Sequence, residues 1–242
     1  MEVQNGFISG IYNYCDRCCE TCAFTSRCRV FADIAEIESS LDPNLQPVVS
    51  APLLPQDVPP PPPPWLQEMI DELNEAAKKP IPEEELERLL PRVLPEHQSG
   101  IDRAEAYCHT VHAWLRARDY FDSANATDPR AVIGWFHTLI PAKVHRALTG
   151  LASDDPDERD WPADYDGSTK VALLGMERSH AAWLEMAERK LAAMGEIQPF
   201  VADLLWLDDA LERVFPSARA FVRPGFDEPD AVAKLLAEES AP

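Results

Sequence analysis

Most apolar residues after Trp65 recur at intervals of three or four, which is the period of an amphipathic α-helix. Each stripe predicts a helix and the face that it buries. The stripes are Trp65, Met69, Leu73 and Ala76; Leu86, Leu89 and Leu90; Ile101, Ala104, Cys108, Val111 and Leu115; Leu174, Ala181, Leu184 and Leu191; and Phe200, Leu204, Leu207, Leu211 and Val214.

Start and stop signals place the ends of several helices. Pro82, followed by three glutamates, is typical of a first turn, because its φ is fixed and acids favour the positive end of the helix dipole. The Ile101 stripe predicts a helix over residues 100–121. Asp128 is expected to cap a helix that has Pro129 first and ends before Gly150. Pro141 predicts a kink or a division within it.

The remaining helices follow from the same signals. Ser168 is predicted to open a helix that stops at Gly195, and Pro199 to start one that Pro216 stops. A short helix is expected over residues 229–239, and the acidic stretch 153–167 is predicted to be a loop. Successive helices without strand signals predict an all-α fold, with a helical bundle over residues 65–240.

Residues 41–64 are predicted to form a proline-rich linker, which ends in six consecutive prolines from Pro59 to Pro64. Proline lacks the backbone donor and the freedom in φ that helices and sheets require, so this segment is expected to be an extended polyproline II spacer. It separates the bundle from a small N-terminal module, residues 1–40.

The N-terminal module is rich in cysteine, since five of the six cysteines lie between Cys15 and Cys28. The net charge of −20 disfavours nucleic acid and anionic membranes as partners. No apolar run reaches the ~18 residues of a membrane span, and the first residues lack a signal-peptide pattern. We therefore expect a cytoplasmic protein whose clustered thiols stay reduced and bind metal.

The crowding of these thiols bears on the identity of the metal. Structural zinc sites usually present two short Cys-x2-Cys pairs separated by a dozen or more residues. A [4Fe–4S] cluster takes one thiolate for each iron, and one short loop can supply them. The spacing therefore favours an iron–sulfur cluster and leaves zinc as the alternative.

The run Cys19-x2-Cys22-Ala23-Phe24-x3-Cys28 resembles the loop that holds a [4Fe–4S] cluster in AddB-type helicase-nucleases and related RecB-like exonucleases. It is also similar to the Cys-x2-Cys-x5-Cys runs of auxiliary clusters in radical-SAM maturases. The match covers ten residues, with Ala23 in place of the usual proline. The nuclease carboxylates and Glu-x-Lys that precede the cysteines in that fold are absent, so nuclease activity is not expected.

A second resemblance concerns the opening line Ile8-Ser9-Gly10-Ile11-Tyr12-Asn13-Tyr14-Cys15-Asp16-Arg17, which is similar to the start of a bacterial family without an assigned activity. That family has a tryptophan where Cys18 stands here. The resemblance implies that Cys15, Cys19, Cys22 and Cys28 are the metal ligands, with Cys18 as a spare thiol that could substitute.

Helical spacing leads to a related expectation. Cys15, Cys19 and Cys22 are four and three residues apart, so one or two helical turns would aim them at one centre. Cys28 would then close the site. On such a helix the Cys18 side chain points roughly 100° away from that of Cys19, unless the segment is extended there.

A second metal site in the bundle is a weaker hypothesis. Glu177 and His180 match the Glu-x2-His element of di-iron carboxylate bundles, but those proteins need two copies and two further glutamates. Glu105, Cys108, His109 and His112 also share one predicted helix at four-residue spacings. Cys108 could be an activated thiol, although a buried apolar role fits its stripe better.

These observations favour an iron–sulfur protein with a redox, accessory or partner-docking role, and a protein partner is expected. A zinc-stapled interaction module without redox function is the alternative. A metal-dependent enzyme built in the helical bundle is a second alternative. No catalytic residue can be selected from the sequence.

Overall fold

The computed structural model of the chain describes residues 2–19, 22–41, 64–78, 82, 93–120, 127–152 and 164–239. The chain folds into two compact units. The N-terminal unit comprises Met1–Tyr12 and Arg17–Pro91, and the helical unit comprises Asn13–Asp16 and Arg92–Pro242. Most of the predicted linker (42–63), the predicted helix after Pro82 (83–92) and most of the acidic loop (153–163) lie outside the described residues.

The N-terminal unit begins with a β-hairpin in which β1 (Val3–Gln4) pairs antiparallel with β2 (Phe7–Ile8). Asn5 and Gly6 form its two-residue loop with φ of 51° and 82°, the positive values that a type I′ turn requires. Helices α1 (Arg29–Leu41) and α2 (Pro64–Ala77) follow. The sequence prediction overlooked this hairpin, although Asn-Gly between apolar residues is its usual signal.

The helical unit contains α3 (Gln98–Arg116), α4 (Pro129–Gly150), α5 (Asp164–Glu188), α6 (Met194–Val214) and α7 (Pro229–Glu239). Helix α3 packs against α4 and α6, and α5 packs against the same two helices. The four therefore enclose one core, and the predicted all-α fold is confirmed. No described helix has the length and apolar character needed to cross a membrane.

The core of the helical unit centres on large side chains from all four helices. Trp183 of α5 stacks on Phe200 of α6 at a centroid distance of 4.8 Å and donates from Nε1 to the Tyr107 hydroxyl of α3 at 3.3 Å. Trp183 and Tyr107 are fully buried. Burial raises the pKa of Tyr107, which keeps its phenol protonated.

Several predicted helix signals are confirmed. The Asp128 carboxylate accepts a hydrogen bond from the Arg130 backbone N–H at 2.9 Å, Pro129 is the first residue of α4, and Gly150 is the last. Hydrogen bonds from Arg130 lower the pKa of Asp128 to about 2. Pro141 lies within α4 and does not divide it. Helix α7 has the predicted bounds.

The predicted bounds of α5 and α6 are wrong. Helix α5 begins at Asp164, so residues 164–167 are not loop, and it ends at Glu188 rather than at Gly195. The cause of this end is Lys190, whose φ is 57°. The Lys190 and Leu191 N–H groups donate to the carbonyls of Ala187 and Met186 at 3.0 and 2.9 Å, a Schellman arrangement.

Helix α6 accordingly begins at Met194, not at Pro199. The Glu196 carboxylate accepts from the Ala193 N–H at 3.1 Å and so caps the first turn. Pro199 lies inside this helix and Gly195 is its second residue.

The predicted buried face of α5 is also wrong by about one residue. Ala181 and Leu184 are exposed, whereas Met176, Trp183 and Met186 are buried. The reason is that α5 packs on both α4 and α6, which buries a broad face that a narrow aliphatic stripe does not describe. On α3, Tyr107 is buried and Cys108 is only partly buried.

Candidate metal centre

The β-hairpin and the segment after the cysteines form one local structure. The Arg27 guanidinium donates to the Gly6 carbonyl at 3.0 Å, and Arg29 lies over the Phe7 ring at 5.6 Å while it pairs with Asp33 at 2.8 Å. Arg27 and Arg29 therefore hold the hairpin against the cysteine segment. Their positive charges could also offset the negative charge of a bound cluster.

Cys19 and Cys22 are joined by a backbone hydrogen bond. The Cys22 N–H donates to the Cys19 carbonyl at 3.2 Å, and the Phe24 N–H donates to the Cys22 sulfur at 3.4 Å. Hydrogen bonds from the protein to cysteine sulfurs also occur around iron–sulfur clusters, where they help to set the reduction potential. The Cys22 sulfur already accepts a hydrogen bond of this kind.

Cys28 occupies the start of α1. It has extended backbone angles, its N–H donates to the Thr25 carbonyl at 3.2 Å, and its carbonyl accepts the first helical bond from Ala32 at 3.1 Å. Its sulfur is thus attached at the positive end of a 13-residue helix, where negative charge is stabilised.

The helical arrangement proposed for Cys15, Cys19 and Cys22 is wrong. Arg17 adopts a left-handed conformation with φ of 60°, and the Cys19 N–H donates to the Arg17 carbonyl at 3.0 Å. A left-handed residue cannot continue a right-handed helix, so residues 15–19 form a bend followed by a tight turn. The expectation that the Cys18 side chain points roughly 100° away from that of Cys19 assumed a helix, so it no longer applies.

Cys15 lies in the Asn13–Asp16 segment, which packs within the helical unit. The Lys143 ammonium, only 5% exposed, donates to the Asn13 carbonyl at 2.6 Å. Trp135 donates from Nε1 to the Asp16 carbonyl at 2.6 Å, and Arg178 pairs with the Asp16 carboxylate at 2.7 Å. Two side chains of α4 therefore hold the backbone on both sides of Cys15, and Arg178 of α5 holds the Asp16 side chain.

Tyr14 completes this attachment. Its side chain is 5% exposed, and its ring meets Phe221 edge-on at 4.8 Å. Gly167 of α5 lies so close that a β-carbon there would be 2.2 Å from the Tyr14 ring. The absence of a side chain at residue 167 is what admits the tyrosine.

Gly167→Ala is therefore expected to lower the free energy of unfolding by about 1–3 kcal/mol, because the methyl group must displace Tyr14 or the helix. Urea denaturation followed by circular dichroism measures this. Gly195→Ala is the matched control, since its β-carbon would meet nothing within 4 Å and alanine favours the helix. Equal stability of the two variants would contradict the packing described for Tyr14.

All six cysteines lie among the described residues, and each side chain is partly buried. Within the described part of the chain, no three Cys, His, Asp or Glu side chains converge as a metal site. The candidate ligands thus have favourable local surroundings but are not arranged as a finished centre, and closure on metal would have to complete it.

The proposed second site in the bundle gains no support from geometry. Glu177 is exposed and His180 is partly buried on α5, while Glu105 and His109 are exposed on α3. Burial, with a smaller contribution from Glu105, raises the pKa of Cys108. A raised pKa disfavours the thiolate, so Cys108 lacks the property that defines an activated cysteine.

A histidine pair was missed at the sequence level. His112 of α3 and His137 of α4 face one another, with His112 Nδ1 at 3.3 Å from His137 Nε2. Burial lowers the pKa of His137, and nearby His112 adds to the effect. The residues are 25 positions apart, and only the packing of α3 on α4 brings them together.

Comparison of the chain with protein-family models, with curated proteins and with solved structures found no match.

Proposed function

We propose that residues 12–31 form a thiolate-ligated metal centre, that its metal is a [4Fe–4S] cluster, and that the protein has a redox, accessory or partner-docking role. The observation that carries the proposal is the pair of hydrogen bonds at Cys22, whose N–H donates to the Cys19 carbonyl and whose sulfur accepts from the Phe24 N–H. Neither packing in an apolar core nor exposure in a solvated loop explains why five thiols lie within fourteen residues.

The proposed ligands are Cys15, Cys19, Cys22 and Cys28. Cys22 supplies a hydrogen-bonded sulfur, and Cys28 supplies one at the start of a helix. Cys18 is the possible substitute ligand, because the left-handed conformation of Arg17 rules out the helix that would have pointed its side chain away from that of Cys19. When bound, such a cluster accepts and returns one electron, which a protein partner would have to supply and receive, without forming or breaking a bond to substrate.

Zinc is the second candidate metal, and the outer face of α1 favours the associated role. Ile34 and Ile37 are 46% and 47% exposed and lie three residues apart, directly beyond Cys28. A zinc ion that stapled the loop would fix the start of α1 and so present this apolar pair to a protein partner. This function requires no electron transfer.

Anaerobic purification with iron supplied, followed by iron, sulfide and zinc analysis, is the deciding measurement. We expect a brown protein with four iron and four sulfide atoms per chain. A colourless protein that holds one zinc per chain under these conditions, and loses that zinc in Cys22→Ser, would rule out the cluster and support the interaction module. Cys108→Ser is the control variant, because that cysteine lies on α3 in the helical unit and should not change the metal content.

Voltammetry then separates a redox role from a structural one. An electron-transfer cluster is expected to give a reversible one-electron wave while circular dichroism stays unchanged. A structural metal should give no wave, and its removal should disorder residues 17–31, while Asn13–Asp16 keeps its contacts with α4 and α5 and the helical unit retains its own core.

A further inference from the structure

The His112–His137 pair has defined tautomers. His137 Nδ1 lies 2.7 Å from the Gly134 carbonyl, which can only accept, so Nδ1 carries the proton. In the neutral ring this leaves a lone pair on Nε2, and Nε2 is the atom that faces His112 Nδ1 at 3.3 Å. His112 therefore donates its Nδ1 proton to His137 in the absence of metal.

The same geometry suits a metal ion. Two imidazole nitrogens on a tetrahedral zinc ion, each at roughly 2.0–2.1 Å, are separated by about 3.3–3.4 Å. Metal-bound histidines usually donate their other ring N–H to a carbonyl or carboxylate, which fixes the ring and its tautomer. His137 already makes this bond to Gly134.

We propose that His112 and His137 together bind a divalent transition-metal ion, such as Zn²⁺, between α3 and α4. The ion takes the lone pair of His137 Nε2 and that of His112 Nδ1. The proton of His112 Nδ1 moves through solvent to Nε2 of the same ring, so a neutral pair gains the ion without net loss of a proton.

Access and coordination number are consistent with a small open site. His137 is 2% exposed, whereas His112 is exposed and offers the route of entry from solvent. In the described part of the chain no third Cys, His, Asp or Glu side chain completes a metal-binding group with them. Neither ligand is a cysteine, so the site uses none of the proposed cluster ligands.

Zinc titration of the full-length protein, followed by two-bond ¹H–¹⁵N correlation spectra of the imidazole rings, tests the proposal. We expect the signals of His112 Nδ1 and His137 Nε2 to shift together as zinc is added. His112→Ala should abolish the shift at His137 and weaken this binding at least about tenfold, because loss of an outer-shell partner alone costs roughly 10–100-fold in metal affinity.

His109→Ala is the matched control, since His109 is an exposed histidine on the same helix and its loss should leave the response intact. The readout is specific to each ring, so zinc held by the cysteines neither produces nor hides it. Unchanged His137 nitrogens at saturating zinc would overturn the proposal. An unaltered His137 response in His112→Ala would overturn it as well.

Discussion

Replacing Cys22 with serine is expected to remove most of the bound metal from anaerobically purified protein. A serine hydroxyl is a poor ligand for iron and zinc at neutral pH, and the variant lacks the sulfur that accepts from the Phe24 N–H. Loss of one of four ligands opens the centre to solvent. Metal analysis measures the effect, and Cys108→Ser provides the matched control for a cysteine-to-serine change. Retention of the full metal content in Cys22→Ser would contradict the proposed ligand set.

Cysteine-to-serine variants of the other four clustered cysteines test the rest of the proposed ligand set. We expect Cys15→Ser, Cys19→Ser and Cys28→Ser to reduce or remove the metal and Cys18→Ser to retain it. If Cys18→Ser lost the metal and Cys19→Ser kept it, Cys18 would be the ligand and Cys19 the spare thiol. The left-handed Arg17 makes this comparison necessary, because helical spacing no longer decides between them.

The predictable parts of the fold depend on signals that lie close together in sequence. Asp128 caps α4 through the Arg130 N–H, and α7 begins at Pro229, a residue that favours the first helical position, so local chemistry was sufficient for both helix starts. The end of α5 was not predictable in this way. Lys190 adopts a positive φ that favours glycine, and the glycine five residues later drew the prediction too far.

The candidate centre was predictable only in part, for a similar reason. Clustered cysteines predict a metal from composition, but the hydrogen bond between Cys19 and Cys22 and the conformation of Arg17 depend on backbone geometry that composition does not specify. The attachment of Asn13–Asp16 to Lys143 and Trp135 joins residues more than a hundred positions apart. Residue spacing within one helix cannot predict a contact between segments so far apart in the sequence.

The predicted buried face of α5 consisted of aliphatic residues alone and therefore left out Trp183. The side chain is fully buried, stacks on Phe200 and meets Trp114 edge-on at 5.1 Å. It also donates to the Tyr107 hydroxyl at 3.3 Å. This one residue therefore joins α5 to both α3 and α6.

Trp183→Ala is accordingly expected to lower the free energy of unfolding of the helical unit by about 3–5 kcal/mol, because it leaves a large cavity and removes the Nε1 donor to the Tyr107 hydroxyl. Urea denaturation followed at the helical circular dichroism band measures the loss. Trp183→Phe should cost less, since it keeps the stacked ring and loses the donor. Trp65→Ala is the control, because Trp65 is 51% exposed on α2 and its loss should change stability by no more than about 0.5 kcal/mol. Similar midpoints for Trp183→Ala and Trp65→Ala would show that α3, α5 and α6 do not share the core described for them.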